Sequence, residues 1–192
     1  MKNILIFGVA RAGKTTLARM INKEFAMYQI ESTDSYITVF RDNFKDMDIN
    51  YIYDKADEKG NLALFTSKLL HEKTINRKQG NYILEGDSIT PDMCAKYFNT
   101  DENIIYYILH NKLTAQEILN NCRKYDIDDK DWSVKVSDED LLKHCIFNLK
   151  LGKEYEKQCI NYKFRVIDTS FNRNQKLEET LSEISEYILK GK

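Results

Sequence analysis

The stretch KNILIFGVARAGKTTLARMINKEF, residues 2–25, decides the fold. Ile4 to Phe7 form a short apolar run that reads as a buried strand. The run ends at Gly8, and Gly8-Val9-Ala10-Arg11-Ala12-Gly13-Lys14-Thr15 fits G-x-x-x-x-G-K-[ST], the Walker A pattern. Leu17, Met20, Ile21 and Phe25 follow at helical spacing. Strand, glycine loop, helix is the context that a phosphate-binding loop requires.

The spacing has a physical reason. Gly8 lets the chain leave the strand sharply, and Gly13 permits a backbone geometry that a Cβ would hinder. Successive backbone N–H groups then form an anion nest at a helix N-terminus, where the dipole favours negative charge. Lys14 can reach β- and γ-phosphates. The Thr15 hydroxyl can take one position on Mg²⁺, which keeps several waters and binds mainly through phosphates. The expected nucleotide contacts are therefore Gly8, Ala10, Arg11, Ala12, Gly13, Lys14, Thr15 and Thr16, with Arg11 able to close over the loop.

Composition bounds the rest. A chain of 192 residues reads as one domain, or one domain with a mobile flap. The formal net charge of −1 offers no overall attraction to nucleic acid or an anionic membrane. No apolar stretch is long enough to span a bilayer, and the chain enters its first strand at once, so no signal peptide is expected. Cys94, Cys122, Cys145 and Cys159 form no C-x-x-C pair, and reduced thiols in a cytoplasmic protein are expected.

Past the first helix, Tyr28-Gln29-Ile30 reads as a second strand ending in Glu31-Ser32-Thr33-Asp34-Ser35, with a helix from about Tyr36 to Phe44. Asp34 then lies beyond the C-terminal end of a parallel strand, where open α/β sheets place ligands. It can orient an acceptor hydroxyl, take its proton or hold a Mg²⁺ water; alternatively, Asp34 or Ser35 only caps the next helix. Residues 42–60 read as a polar surface connection. Leu62, Phe65 and Leu69, extended by Ile75, mark the next helix. Tyr82-Ile83-Leu84 is the third strand, closed by Glu85-Gly86-Asp87-Ser88. An apolar strand ending in an acid is the Walker B pattern, and Glu85 or Asp87 there can bind Mg²⁺ through water or act as base.

Asn103 to Leu109 is a continuous apolar run, the look of a parallel strand covered on both faces. His110-Asn111-Lys112-Leu113-Thr114 only approaches the guanine motif N-K-x-D, and Thr114 to Glu117 reads as a capping box. The stretch Arg123 to Val136 reads as a flap in which Arg123 stabilises charge on a transferring phosphoryl group, or as a salt-bridged helix end. Phe164 to Ile167 is the fifth strand. The loop after it, with Asn172 and Arg173, can border a nucleotide base. His71, His110 and His144 fit no metal or nucleophile arrangement.

Five strands alternating with helices, with the glycine loop after the first, resemble the P-loop kinases of the nucleoside and nucleotide kinase superfamily. Adenylate kinase-like and shikimate kinase-like proteins are among them. The loop Gly8 to Thr15 carries the resemblance; Asp34, Glu85, Arg123 and residues 168–173 match in place. The resemblance implies an α/β, three-layer αβα P-loop NTPase fold. Its parallel sheet of five strands has the order 2-3-1-4-5 and right-handed crossovers. It also implies ATP and Mg²⁺ on the loop, a helical acceptor region over about 36–80 and a lid over about 123–136, all within a single domain 1–192. The chain departs from the pattern in two places. Glu85-Gly86-Asp87-Ser88 stands where adenylate kinases carry D-G-[FY]-P-R, and Ser32 precedes Asp34 where shikimate kinases carry D-x-D.

The expected activity is transfer of the γ-phosphoryl group of ATP to a small molecule, nucleosides and nucleotides among the candidates. Lys14, Asp34, Glu85 and Arg123 are the expected catalytic residues, and Thr15 and Glu85 the expected Mg²⁺ side chains. The rival is a nucleotide-dependent switch with slow hydrolysis. Its D-x-x-G after the third strand and N-K-x-D after the fourth are absent.

Overall fold

The computed structural model describes residues 1–125 and 132–190. Five parallel strands form one sheet in the order β2-β3-β1-β4-β5: β1 Asn3–Gly8, β2 Tyr28–Ser32, β3 Asn81–Gly86, β4 Asn103–Leu109 and β5 Arg165–Asp168. Seven helices are present among the described residues: α1 Lys14–Glu24, α2 Thr33–Asn43, α3 Asn61–His71, α4 Pro91–Tyr97, α5 Ala115–Tyr125, α6 Asp138–Tyr162 and α7 Arg173–Lys190. None of them is long and apolar enough to cross a membrane.

Every residue of β1 is buried. Successive side chains of a strand face opposite sides, so complete burial means that helices cover both faces. This is the three-layer arrangement expected from the continuous apolar runs. The main core gathers on β1, β3 and β4 around Ile4, Phe7, Leu84 and Tyr107. A smaller core of Ile118, Leu119, Cys122, Leu141 and Cys145 locks α5 to α6.

Register positions the site. Ser32 lies opposite Glu85, Phe7 opposite Gly86, and Gly8 opposite Ile108. The C-terminal ends of β2, β3, β1 and β4 therefore open on one rim. Gly8 is held there by close approach: its φ is 134°, and a Cβ would stand 2.1 Å from the Ile108 carbonyl oxygen. Gly8→Ala is expected to cost about 2–4 kcal/mol through overpacking and backbone strain. That lowers Tm by roughly 4–16 °C in a chain of this size. An unchanged melting curve would contradict this contact between β1 and β4.

Local chemistry explains the helix ends. The Ser137 hydroxyl accepts from the Asp140 backbone N–H at 3.2 Å, with Asp138, Glu139 and Asp140 in the first turn of α6. The capping box of α5 forms as expected, with Thr114 N to Glu117 Oε2 at 2.7 Å and Glu117 N to Thr114 Oγ1 at 3.2 Å. Ile75 does not extend the α3 stripe. A π turn over Glu72–Asn76 shifts the period and leaves Ile75 exposed.

Candidate active site

The chain leaves β1 at Gly8, and the Val9 N–H still donates to Ile108 O at 3.2 Å. Arg11 (φ 64°) and Gly13 (φ 118°) both take positive φ, which turns the loop back into α1. Small, buried Ala10 and Ala12 let the loop press onto the core. The buried Thr169 hydroxyl donates within reach of Ala12 O (2.8 Å) and Leu109 O (3.0 Å), tying the loop to the end of β4. Lys14 is the first residue of α1. Unpaired N–H groups of that first turn lie at the loop.

Side chains converge on the same place. Lys14 is buried and its Nζ donates to Val9 O at 2.7 Å. The Thr15 hydroxyl donates to Glu85 Oε2 at 3.1 Å. Arg173 donates from Nη2 to Thr16 Oγ1 at 2.9 Å and lies across Gly13, where a Cβ would come within 3.2 Å of its Nε. A cavity of about 740 Å³ opens over the loop, lined by Arg11, Gly13 to Thr16, His110, Cys122, Asn172 and Arg173. A smaller one of about 390 Å³, among Lys68, His71, Tyr97 and Glu102 beside the start of β4, holds none of this chemistry.

The acids stand beside the loop. α2 begins at Thr33 rather than near Tyr36, so Asp34 sits in its first turn instead of a preceding loop. Ser32 is the N-cap residue, so Asp34 and Ser35 are not caps. β3 continues to Gly86, which makes Glu85 a buried strand residue and leaves Asp87 in the following loop. That loop is pinned by Tyr155 Oη donating to Asp87 O at 3.1 Å and by Ser88 Oγ donating to Asp87 Oδ1 at 3.0 Å. Asp34 is open to solvent. Lost hydration, then the charges of Asp87 and Glu85, push its pKa from 3.8 up to about 6, against the opposing pull of Lys14.

Solved structures match this architecture over nearly their whole length. A shikimate kinase from Bacteroides thetaiotaomicron superposes with a TM-score of 0.57 at 15% identity, covering 97% of this chain and 98% of that one. A sugar kinase from Janibacter sp. gives 0.59 at 13%, with 96% and 95% covered. A gluconokinase from Sinorhizobium meliloti gives 0.58 at 11%, with 98% and 95% covered. The fold is that of the P-loop small-molecule kinases. No protein-family model and no curated protein matches the chain by sequence.

In this P-loop kinase fold the expected lid, 123–136, falls partly outside the described residues. Its two ends meet on one serine. Arg123 donates to Ser133 O (2.7 Å), Val136 O (2.6 Å) and Asp138 Oδ1 (2.7 Å). The Arg11 guanidinium donates to Ser133 Oγ, and Ser133 is fully buried. The described contacts of Arg123 thus tie the end of α5 to residues 133–138.

His110 was given no role by its sequence context, yet it lines the kinase-fold cavity. It is buried, and among the described residues its Nε2 has no hydrogen-bond partner. Burial, then the nearby Lys14 charge, lowers its pKa to about 4, so the ring stays neutral at physiological pH. A buried polar atom without a partner calls for an explanation, and a ligand contact is one.

The Thr15 hydroxyl and Glu85 carboxylate supply the hard oxygen donors that Mg²⁺ prefers. Among the described residues no group of three or more His, Cys, Asp or Glu side chains could hold a metal ion. A cation carried mainly by phosphates fits that donor set.

Proposed function

We propose that this chain transfers the γ-phosphoryl group of ATP to a hydroxyl of a small molecule. The observation that carries the reading is the meeting of two groups on one rim. A phosphate-loop set, Lys14, Thr15 and Glu85, faces a carboxylate, Asp34, whose pKa of about 6 suits a base at neutral pH.

The nucleotide phosphates lie on the loop N–H groups and the N-terminus of α1. Lys14 neutralises the β- and γ-phosphates, and Arg11 and Arg173 flank them. Thr15 and Glu85 would hold Mg²⁺, which when bound would shield phosphate charge. Asn172 and Arg173 border the base. His110 offers a neutral ring nitrogen to the cavity. Asp34 orients the acceptor hydroxyl and takes its proton. The acceptor oxygen bonds to the γ-phosphorus, the bond to the bridging oxygen breaks, and ADP leaves with that electron pair. Arg123 ties the end of α5 to residues 133–138 beside Arg11.

The test is thermal melting with MgATP and MgGTP, followed by transfer from labelled ATP to a panel of hydroxyl compounds. Binding to the folded chain raises Tm by mass action. A MgATP shift that one acceptor extends, with product formed, is the expected result. A nucleotide shift with slow phosphate release and no acceptor would replace the kinase by a switch. No nucleotide shift at millimolar ligand would remove the loop assignment itself.

A further inference from the structure

We infer that Ser133 is a positioning residue for the nucleotide: its hydroxyl holds the Arg11 guanidinium in place at the cavity over the loop. The inference rests on the kinase reading and adds to it a residue that itself touches no nucleotide.

Arg11 and Lys14 are the two cations of the loop Gly8 to Thr15. Lys14 is buried and bonded to Val9 O at 2.7 Å. Arg11 is half-buried and takes positive φ, 64°. A residue other than glycine keeps that conformation only where its surroundings fix it. The long arginine side chain has many rotamers, and ordering it on a ligand costs entropy. A guanidinium that is ordered only when phosphate arrives therefore binds phosphate more weakly than one already in place.

The fold removes that freedom. Arg11 donates from Nη2 to the Ser133 hydroxyl, 122 positions further along the chain. Ser133 lies in a 3₁₀ turn, Trp132–Lys135, closed by Val136 N donating to Ser133 O at 3.2 Å. The same carbonyl accepts from Arg123 Nη1 at 2.7 Å, and Val136 O accepts from Arg123 Nη2 at 2.6 Å. Arg123 Nε adds Asp138 Oδ1 at 2.7 Å, at the start of α6. One planar guanidinium thus fixes the turn against the ends of two helices, a task that suits its rigid fork of donors.

The cavity gives the arrangement its purpose. Arg11 lines it, whereas Ser133 is fully buried and no part of the lining. α5, which carries Arg123, contributes Ile118, Asn121 and Cys122 to the same wall. The turn that holds Arg11 is therefore anchored to the wall of the cavity that Arg11 serves. Across the loop, Arg173 is held in a similar way on the Thr16 hydroxyl at 2.9 Å. A polyphosphate seated on the loop N–H groups meets charge that is already oriented, the condition under which electrostatic stabilisation is strongest.

A double-mutant cycle on MgATP binding by the full chain tests the inference. Ser133→Ala should raise the MgATP Kd about tenfold, and Ser133→Thr, which keeps the hydroxyl, should stay within about threefold of the unaltered chain. Arg11→Met should raise the Kd about 10–100-fold. In the Arg11→Met background, Ser133→Ala should change it by less than about twofold. A serine that only supports the fold would weaken binding by the same factor in both backgrounds, and that additive result overturns the inference. So does unchanged MgATP binding in either single variant. Both outcomes leave the kinase reading standing. If Ser133→Ala does not fold, Arg11→Lys carries the test, because it keeps the charge and shortens the reach to Ser133. A Kd about tenfold higher is then expected, and an unchanged one overturns the inference. Failure of the unaltered chain to bind MgATP overturns the kinase reading beneath it.

Discussion

Asp34→Asn is expected to lower kcat/KM for phosphoryl transfer by about 10²–10⁴-fold while MgATP binding persists. The substitution keeps the shape of the side chain and removes the proton acceptor. The acid limb gives the decisive readout. With the carboxylate titrating at about 6, kcat/KM of the unaltered chain should fall tenfold per unit below about pH 6. The Asn variant should lose that limb. Stability carries an independent signature. The folded pKa of about 6 lies above the ordinary 3.8, so the folded state holds the proton more tightly than the unfolded one. The ionised carboxylate therefore opposes folding above pH 6, and the penalty fades as pH falls through 6 towards 4. Asp34 is solvent-exposed, so screening reduces the effect to about 1 kcal/mol. Asp34→Asn should thus melt about 2–4 °C higher than the unaltered chain at pH 8 and no higher at pH 4. Full activity in Asp34→Asn, with the acid limb retained, would pass the base role to Glu85 or Asp87.

That trade explains why parts of the site could be read from sequence and parts could not. Gly8, Gly13, Lys14 and Thr15 have a fixed spacing because one loop must wrap one phosphate group, so local sequence suffices. Strand order was legible only through the resemblance to P-loop kinases, whereas apolar runs such as Asn103–Leu109, which suit a strand covered on both faces, mark the strands themselves. Asp34 was legible as a strand-end acid, but the start of α2 was not. Thr33, Asp34 and Ser35 are residues that compete locally with helix, and here the rim of the sheet overrides them. β3 runs past Leu84 because Glu85 finds the Thr15 hydroxyl, 70 positions away in sequence. Ser133 and His110 carry no local signal at all. Each matters through what lies against it: two arginines on the serine, and Lys14 beside the histidine. Arg123 was legible as a cation near a lid, but its backbone partners lie 10 and 13 residues further on.

Lys14→Met should reduce kcat by about 10²–10³-fold and weaken MgATP binding about 10–100-fold, the worth of one lost charge-assisted contact to phosphate. Methionine keeps most of the apolar stem, so the buried volume beneath the loop is preserved. The fold still loses the donor to Val9 O, a cost of about 1 kcal/mol that a melting curve should show. The charge has two further dependants. Lys14 lowers the pKa of Asp34 and that of His110. Removing it should carry the acid limb of the residual activity above pH 6, while His110 becomes easier to protonate. Those shifts separate an electrostatic lysine from one that only packs. A packing residue replaced by methionine would leave the limb where it was. Unchanged binding and unchanged pH profile together would mean that the loop from Gly8 to Thr15 does not hold the phosphates.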